Sequence, residues 1–310
     1  MPSIALFGST GQLGCELQIS LGDLGRVASV ARADCPLGDP AQVESCLERI
    51  APTLIVNAAA YTAVDQAESE PDAAYAINCS APEAMARYAE RSGALLVHYS
   101  TDYVFDGRKV DPYLETDEPG PTSIYGASKL AGELAIRRSG ARHLILRTSW
   151  VFGVQGQNFL KTMLRLAAAQ DELQVVADQH GAPTSALWLA RTTAAMLGRY
   201  LANPPHSRRS PHSPHSPALG TYHMSAAGVT TWYGYASYVI AQARARGAAL
   251  RVHPDSIRAV TTDQFPRPAR RPANSVLDTH ALQSAWDITV PDWRVGVDEV
   301  LHAIVGAPYR

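Results

Sequence analysis

The chain is poor in cysteine, is nearly balanced in charge and has no long apolar run. Its four cysteines, Cys15, Cys35, Cys46 and Cys79, form no C-x-x-C pair and no ligand-like cluster. That argues against a disulfide framework or a cysteine metal site and leaves reduced thiols, as expected of a cytoplasmic protein. Basic residues number 27 against 29 acidic ones, so nothing drives the chain electrostatically toward a nucleic acid. No apolar stretch reaches about 18 residues, the length a spanning helix needs. No basic lead-in precedes the first apolar segment, so no signal peptide is expected.

What is present points to an α/β fold. Of the 310 residues, 46% are apolar and 18% charged, enough to bury a sizeable core. Ser3–Phe7 is a short apolar run ending at Gly8, and Leu13, Leu17 and Leu21 then recur at helical spacing over 12–22. Further strands are expected near Val27–Val30, Thr53–Asn57, Ala94–Tyr99 and His143–Arg147, with helices over 41–50 and within 72–92. Apolar runs that do not alternate suit strands covered on both faces. The expectation is a Rossmann-type doubly wound parallel sheet with a smaller C-terminal substrate-binding lobe. Residues 1–150 would form the cofactor domain, and 151–310 mainly the lobe, part of it returning to the sheet. Helices are expected over Asn158–Ala169 and Thr184–Leu201. The aromatics Trp232, Tyr233, Trp286 and Trp293 suit the lobe. Residues 203–220 hold five prolines, three histidines and four serines and read as a flexible loop. The irregular spacing of His206, His212 and His215 argues against a metal site there.

Gly8, Gly11 and Gly14 lie between the first strand and first helix, a variant of the dinucleotide-binding fingerprint. Backbone without side chains lets a pyrophosphate approach while helix N–H groups face the anion. After the second strand, Ala31 stands where a carboxylate would bind a ribose 2′-hydroxyl, with Arg32 beside it. This favours NADPH, with NADH left open because Asp34 is close by. Asp39 follows where an adenine could be contacted.

Tyr125 and Lys129 open a helix and sit one turn apart on one face. Ser100-Thr101-Asp102 directly follows the fourth strand, where open α/β sheets place ligands. A nearby Lys⁺ would favour the Tyr125 phenolate and make it a proton donor and acceptor near neutrality. Thr101 would hold the substrate oxygen.

Gly8–Gly14, Val97–Phe105 (VHYSTDYVF) and Tyr125–Lys129 resemble the extended short-chain dehydrogenase/reductase superfamily. Arg147–Val151 (RTSWV), Asp178–Thr184 (DQHGAPT) and Arg271–Thr279 (RPANSVLDT) narrow the resemblance to its dTDP-4-dehydrorhamnose reductase group. The resemblance implies reduction of the 4-keto group of a dTDP-6-deoxy-L-lyxo-4-hexulose to dTDP-L-rhamnose. By the same resemblance Tyr125 protonates the alkoxide, Lys129 binds the nicotinamide ribose and tunes Tyr125, and Thr101 holds the sugar oxygen. Gly11, Gln12, Leu13, Asp39, Ala60, Tyr61, Thr62 and Tyr99 would line the cofactor. Asp102, Tyr103, Trp150 and Asn274 would face the sugar nucleotide.

Some relatives in that group resemble dimers bridged by Mg²⁺. Glu16 matches one ligand position, but Ala186–Arg191 holds no carboxylate, which argues against a metal-bridged homodimer. Sugar-nucleotide dehydratases resemble this chain too, but Tyr103 stands where their Glu does. A non-catalytic relative, the regulatory subunit of methionine adenosyltransferase, is disfavoured by the intact Thr101, Tyr125 and Lys129.

Overall fold

A computed structural model describes residues 1–202 and 219–306. Six parallel strands form the central sheet: β1 (Ser3–Phe7), β2 (Arg26–Val30), β3 (Leu54–Asn57), β4 (Leu95–Thr101), β5 (His143–Thr148) and β6 (Gly220–His223). Their spatial order is β2-β1-β3-β4-β5-β6, every neighbouring pair parallel. The order reverses between β1 and β3, so the ligand crevice of such a sheet opens beyond their carboxyl ends. The main helices are α1 (Gln12–Ser20), α2 (Pro40–Ile50), α3 (Ala81–Ser92), α4 (Ile124–Arg138), α5 (Phe159–Ala169), α6 (Ala186–Ala202), α7 (Trp232–Ala245) and α8 (Trp293–Val305).

The period of two in each strand assigns the two faces. Ile4, Leu6, Leu54, Val56, Leu95, Val97, Leu144 and Leu146 pack with α1, α6 and the short helix His280–Trp286. Ala5, Phe7, Ile55, Leu96 and Ile145 pack with α2, α3 and Ile136 of α4. Each such aliphatic side chain contributes roughly 1.5–3 kcal/mol of burial. Because both faces are covered, the strands read as unbroken apolar runs, as the sequence led one to expect.

The single helix expected within 72–92 is three pieces: Pro71–Tyr75, a π turn over Ala76–Ser80, and α3. The cause is local. Pro82 has no N–H to return to the Asn78 carbonyl. Gly132 brings α4 so close that a Cβ there would lie 2.1 Å from that carbonyl oxygen. The Asn78 side chain is also drawn out of the helix, accepting from Tyr61 N at 2.8 Å and donating to Ser128 Oγ at 3.0 Å. The expected Thr184 start moves to Ala186, since Thr184–Ser185 pairs with Val151–Phe152 as a short ribbon.

Beyond the sheet, α5, α7 and α8 close around Phe152, Leu160, Tyr235 and Val297. The parallel pair Leu173–Val176 and Ile257–Val260 packs on Met163 and Ile240. Trp232 and Trp293 belong here, but Trp286 lies under the sheet with Tyr222, because its helix seals the β6 edge. The expected loop over 203–220, with His206, His212 and His215, lies outside the described residues apart from Leu219 and Gly220, which lead into β6.

A buried ion pair ties this edge together. Arg147 on β5 donates from Nε and Nη2 to the two Glu133 oxygens on α4, at 2.9 and 2.7 Å. Arg137 donates to the same carboxylate at 2.6 Å. Both Arg147 and Glu133 are almost fully buried, and the Phe105 ring lies 5.1 Å from the guanidinium carbon.

Candidate active site

The glycine loop follows from β1 entering α1 almost without a connection. Gly8 sits at φ +76°, and a Cβ there would meet Ala59 N at 2.7 Å. A Cβ on Gly14 would lie 2.0 Å from Gly8 O, so only glycine lets the helix start this near the strand. Gly11 caps α1 without a side-chain hydrogen bond, and no acid stands in the first turn. The first N–H groups therefore face the crevice uncapped, a fit for the diphosphate of a dinucleotide. Gln12 accepts from Asn158 Nδ2 at 2.9 Å, joining this loop to the first turn of α5. Leu13 packs its side chain into the core and reaches the loop with its backbone only.

Arg32 is exposed just past β2. Asp34 folds back to accept from Ala31 N at 3.1 Å. Asp39 is the N-cap of α2, accepting from Ala41 N and Gln42 N, and its bond to the Gln42 amide helps hold its carboxyl below the usual range. Its carboxylate thus serves the helix. Ala60 and Tyr61 follow β3 half-buried and Thr62 is exposed. Tyr61 hydrogen-bonds Glu70 at 2.7 Å. The Tyr99 side chain turns away from the crevice, bonding Thr193 at 2.5 Å on the α6 face. Strand alternation sends it there with Val97, and only its backbone stands at the site.

The polar centre forms where β4 ends beside α4. Thr101 donates to Asp102 Oδ1 at 2.9 Å and stands beside the Tyr125 hydroxyl. Tyr103 meets the Tyr125 ring edge-on at 5.5 Å. Burial raises the Tyr125 hydroxyl to about 12, the neighbouring Thr101 hydroxyl opposing it and the Asp102 charge adding to it. The expected lowering by Lys129 is absent, because the Lys129 ammonium position points elsewhere. Its Nζ donates to Tyr99 O at 2.6 Å and lies 3.2 Å from His98 Nε2. Burial lowers Lys129 to about 8, opposed by Glu133. Tyr125 therefore stays protonated at neutral pH, the state a proton donor needs.

Burial also raises Asp102 to about 6, against bonds from Ser275 and Thr101. A carboxyl whose folded value is raised favours folding below its unfolded value and loses that contribution as pH rises through about 6. Asp102→Asn should accordingly be more stable than the parent by roughly 1–3 kcal/mol above that range. The advantage should vanish at acid pH, and denaturant melts at several pH values would show it. A pH-independent difference would mean that burial does not penalise this carboxylate.

Next to Tyr103 opens a cleft of about 760 Å³ whose lining includes Asp65, Phe159, Met163, Trp232, Arg267, Arg270 and Arg271. Arg271 pairs with Asp65 at 3.0 Å and lies 6.0 Å over the Tyr103 ring. Trp150, held at φ +47°, stacks on Trp232 at 3.7 Å. Asn274, expected to face substrate, instead bonds the carbonyls of Lys109, Val110 and Asp111 and the N–H of Val276. It fastens a turn, so its amide has little left for a ligand. The three cleft arginines escaped the sequence reading, because an irregular Pro-rich stretch offers no period to follow. The RPAR-RPAN basic clustering was the available signal. Among the described residues no group of three His, Cys, Asp or Glu is placed to hold a metal, and no helix is long and apolar enough to cross a membrane.

A family model described as RmlD substrate binding domain matches residues 2–305. The dTDP-4-dehydrorhamnose reductase of Shigella flexneri is 45% identical over 306 residues, 97% of this chain and 98% of that protein. That of Burkholderia thailandensis is 46% identical over 294 residues, 95% and 96% of the two chains. The crystal structure of dTDP-4-dehydrorhamnose reductase from Bacillus anthracis in complex with NADP has a TM-score of 0.84 at 33% identity, covering 97% of this chain and 99% of that one. The chain belongs to the RmlD substrate binding domain family, together with these dTDP-4-dehydrorhamnose reductases.

Proposed function

We infer that this chain reduces the 4-keto group of dTDP-6-deoxy-L-lyxo-4-hexulose to dTDP-L-rhamnose with NADPH. The observation that carries the reading is the position of the Thr101–Tyr125 pair. It lies where β4 ends beside α4, next to Tyr103, whose ring meets Tyr125 and also lines the arginine-rich cleft. The glycine loop and the first turn of α1 hold the diphosphate of the cofactor, and Arg32 lies where a 2′-phosphate would need a cation. Bound there, NADPH supplies the hydride that reduces C4.

The residues of the chain do the rest. Arg267, Arg270 and Arg271 take the nucleotide diphosphate, for which guanidinium forks suit phosphate oxygens. Phe159, Trp232 and the stacked Trp150 give flat apolar walls for sugar and base. Thr101 positions O4, and Asp102, ionised above about pH 6, accepts from a sugar hydroxyl. As C4 gains its hydride, the Tyr125 O–H breaks and its proton passes to O4, leaving a phenolate to be reprotonated from solvent. Lys129 holds the nicotinamide ribose. We place the reaction in the cytoplasm, in keeping with the four free thiols.

The test is a coupled assay. The keto-sugar nucleotide is supplied with a 3,5-epimerase, and NADPH and NADH oxidation are followed separately by absorbance. Oxidation should require the sugar nucleotide and run faster with NADPH. No oxidation of either cofactor would overturn the assignment.

A further inference from the structure

Two carboxylates on one short segment grip opposite sides of the site, and the reaction scheme above uses neither. The segment leaves β3 at Asn57, runs through Tyr61 and Thr62 and turns into the short helix Val64–Ala67, with Glu68 at its end. It is firmly held. Asn78 accepts from Tyr61 N at 2.8 Å and donates to Tyr61 O at 3.1 Å. The Ala67 side chain is fully buried. Glu70 closes the far end, accepting from the Tyr61 hydroxyl at 2.7 Å and the Gln66 amide at 2.6 Å.

From this base Glu68 reaches one way. Its Oε1 accepts from Ile124 N at 2.8 Å. Ile124 is the first residue of α4, and Ser123, the N-cap, takes the N–H of Gly126. Tyr125 stands between them, in a first turn whose N–H groups have no partners within the helix and which frays unless side chains supply them. The direction in which the Tyr125 ring leaves α4 is therefore set by two caps, one of them on another element. A Cβ on Gly126 would lie 2.2 Å from Tyr103 O, so a shift of this turn is felt at Tyr103 as well.

Asp65 reaches the other way. Its Oδ1 accepts from Ala269 N at 3.2 Å and from Arg271 Nη2 at 3.0 Å. Residues 265–271 form no helix or strand, so no regular backbone ladder orients the arginines of this stretch. Arg271 donates to Ala269 O at 3.4 Å and lies over the Tyr103 ring, which wraps the stretch around the Asp65 oxygen.

We propose that Asp65 and Glu68 are positioning residues, a bracket that fixes the acid on α4 and the arginine stretch of the cleft to one rigid piece. It rests on the reading of Tyr125 as the acid and Arg271 as a diphosphate ligand. A sugar nucleotide held by its diphosphate offers C4 to the acid only if the two are correctly spaced, and a misplacement of about 1 Å can cost on the order of a hundredfold in rate. The labour is divided. Glu68 acts on the chemical step through the first turn of α4, and Asp65 acts on binding through Arg271.

Glu68 is exposed and Asp65 half-buried, so variants at both should keep the fold. Glu68→Ala should lower kcat about tenfold with KM and NADPH affinity little moved. Glu68→Gln, whose amide oxygen still accepts from Ile124 N, should restore most of it. Asp65→Ala should weaken dTDP binding, read by calorimetry, and raise KM, each about tenfold, with kcat little moved. Asp65→Asn keeps an oxygen for both bonds and should bind dTDP nearly as the parent does. Amide exchange in the ligand-free protein reads the bracket without substrate. Ile124 N–H should be protected in the parent, exposed in Glu68→Ala and protected again in Glu68→Gln, and Ala269 N–H should follow the Asp65 variants in the same way. A parent that shows this pattern but oxidises no NADPH supports the bracket and brings down the reductase reading. The bracket is overturned by amides that ignore their carboxylates, by full kcat in Glu68→Ala, or by unchanged or tighter dTDP binding in Asp65→Ala. Tighter binding would mean that Asp65 only sets its charge against the phosphates.

Discussion

Tyr125→Phe lowers kcat for the keto-sugar nucleotide by about 10²–10⁴-fold, the span expected for removing a positioned general acid, and leaves NADPH affinity nearly unchanged. The substitution deletes one oxygen from a ring whose packing is otherwise kept, including the edge-on contact with Tyr103. Thr101 keeps its bond to Asp102, so the oxygen-binding geometry survives without a proton to give. Because the lost interaction is made as the alkoxide forms, kcat and kcat/KM should fall together with KM little moved. Cofactor titration by fluorescence separates the two effects. Undiminished turnover would remove Tyr125 as the acid.

Arg147→Met costs the fold about 3–5 kcal/mol, because it leaves the buried Glu133 carboxylate without its bidentate partner. Arg137, on the half-exposed flank, keeps one hydrogen bond to it, so the loss should lie toward the lower figure. Pairing the change with Glu133→Leu should restore most of it, since a well-packed apolar pair of similar volume is often no worse than a buried ion pair. Urea titrations would report both as shifts in midpoint at constant slope. A double variant as unstable as the single one would show that the site needs the charges themselves. Activity offers a second reading, since Arg147 lies one residue from the end of β5 and shares Glu133 with the helix that carries Lys129.

The parts of the molecule legible in the sequence are those governed by short-range rules. The strand runs, the glycine spacing at 8, 11 and 14, and the one-turn separation of Tyr125 and Lys129 each follow from backbone geometry within a few residues. Tyr99 shows a readable signal passed over: alternation with Val97 places its ring on the α6 face, against what the resemblance implied. Lys129 shows the limit. Its position on the helix could be read, but its partners His98 and Tyr99 lie some 30 residues away. The lowering of Tyr125 expected from a nearby Lys⁺ failed for that reason. Asn274 likewise looked like a ligand-side amide until its three carbonyl partners at 109–111 were in place.

The late arrival of β6 has a consequence for how the chain comes into being. During synthesis β1 to β5 emerge first, and Leu144, Ile145 and Leu146 then form the open margin of a five-strand sheet. Only after Gly220–His223 is made can that margin be hydrogen-bonded, and only after His280–Trp286 can Trp286 cover its underside. An exposed apolar strand edge invites pairing with another chain. A fragment cut near residue 150 would carry the complete glycine loop, Thr101, Tyr125 and Lys129, yet also a permanently unsealed border. The N-terminal half of the sheet is therefore finished by the C-terminal portion of the chain.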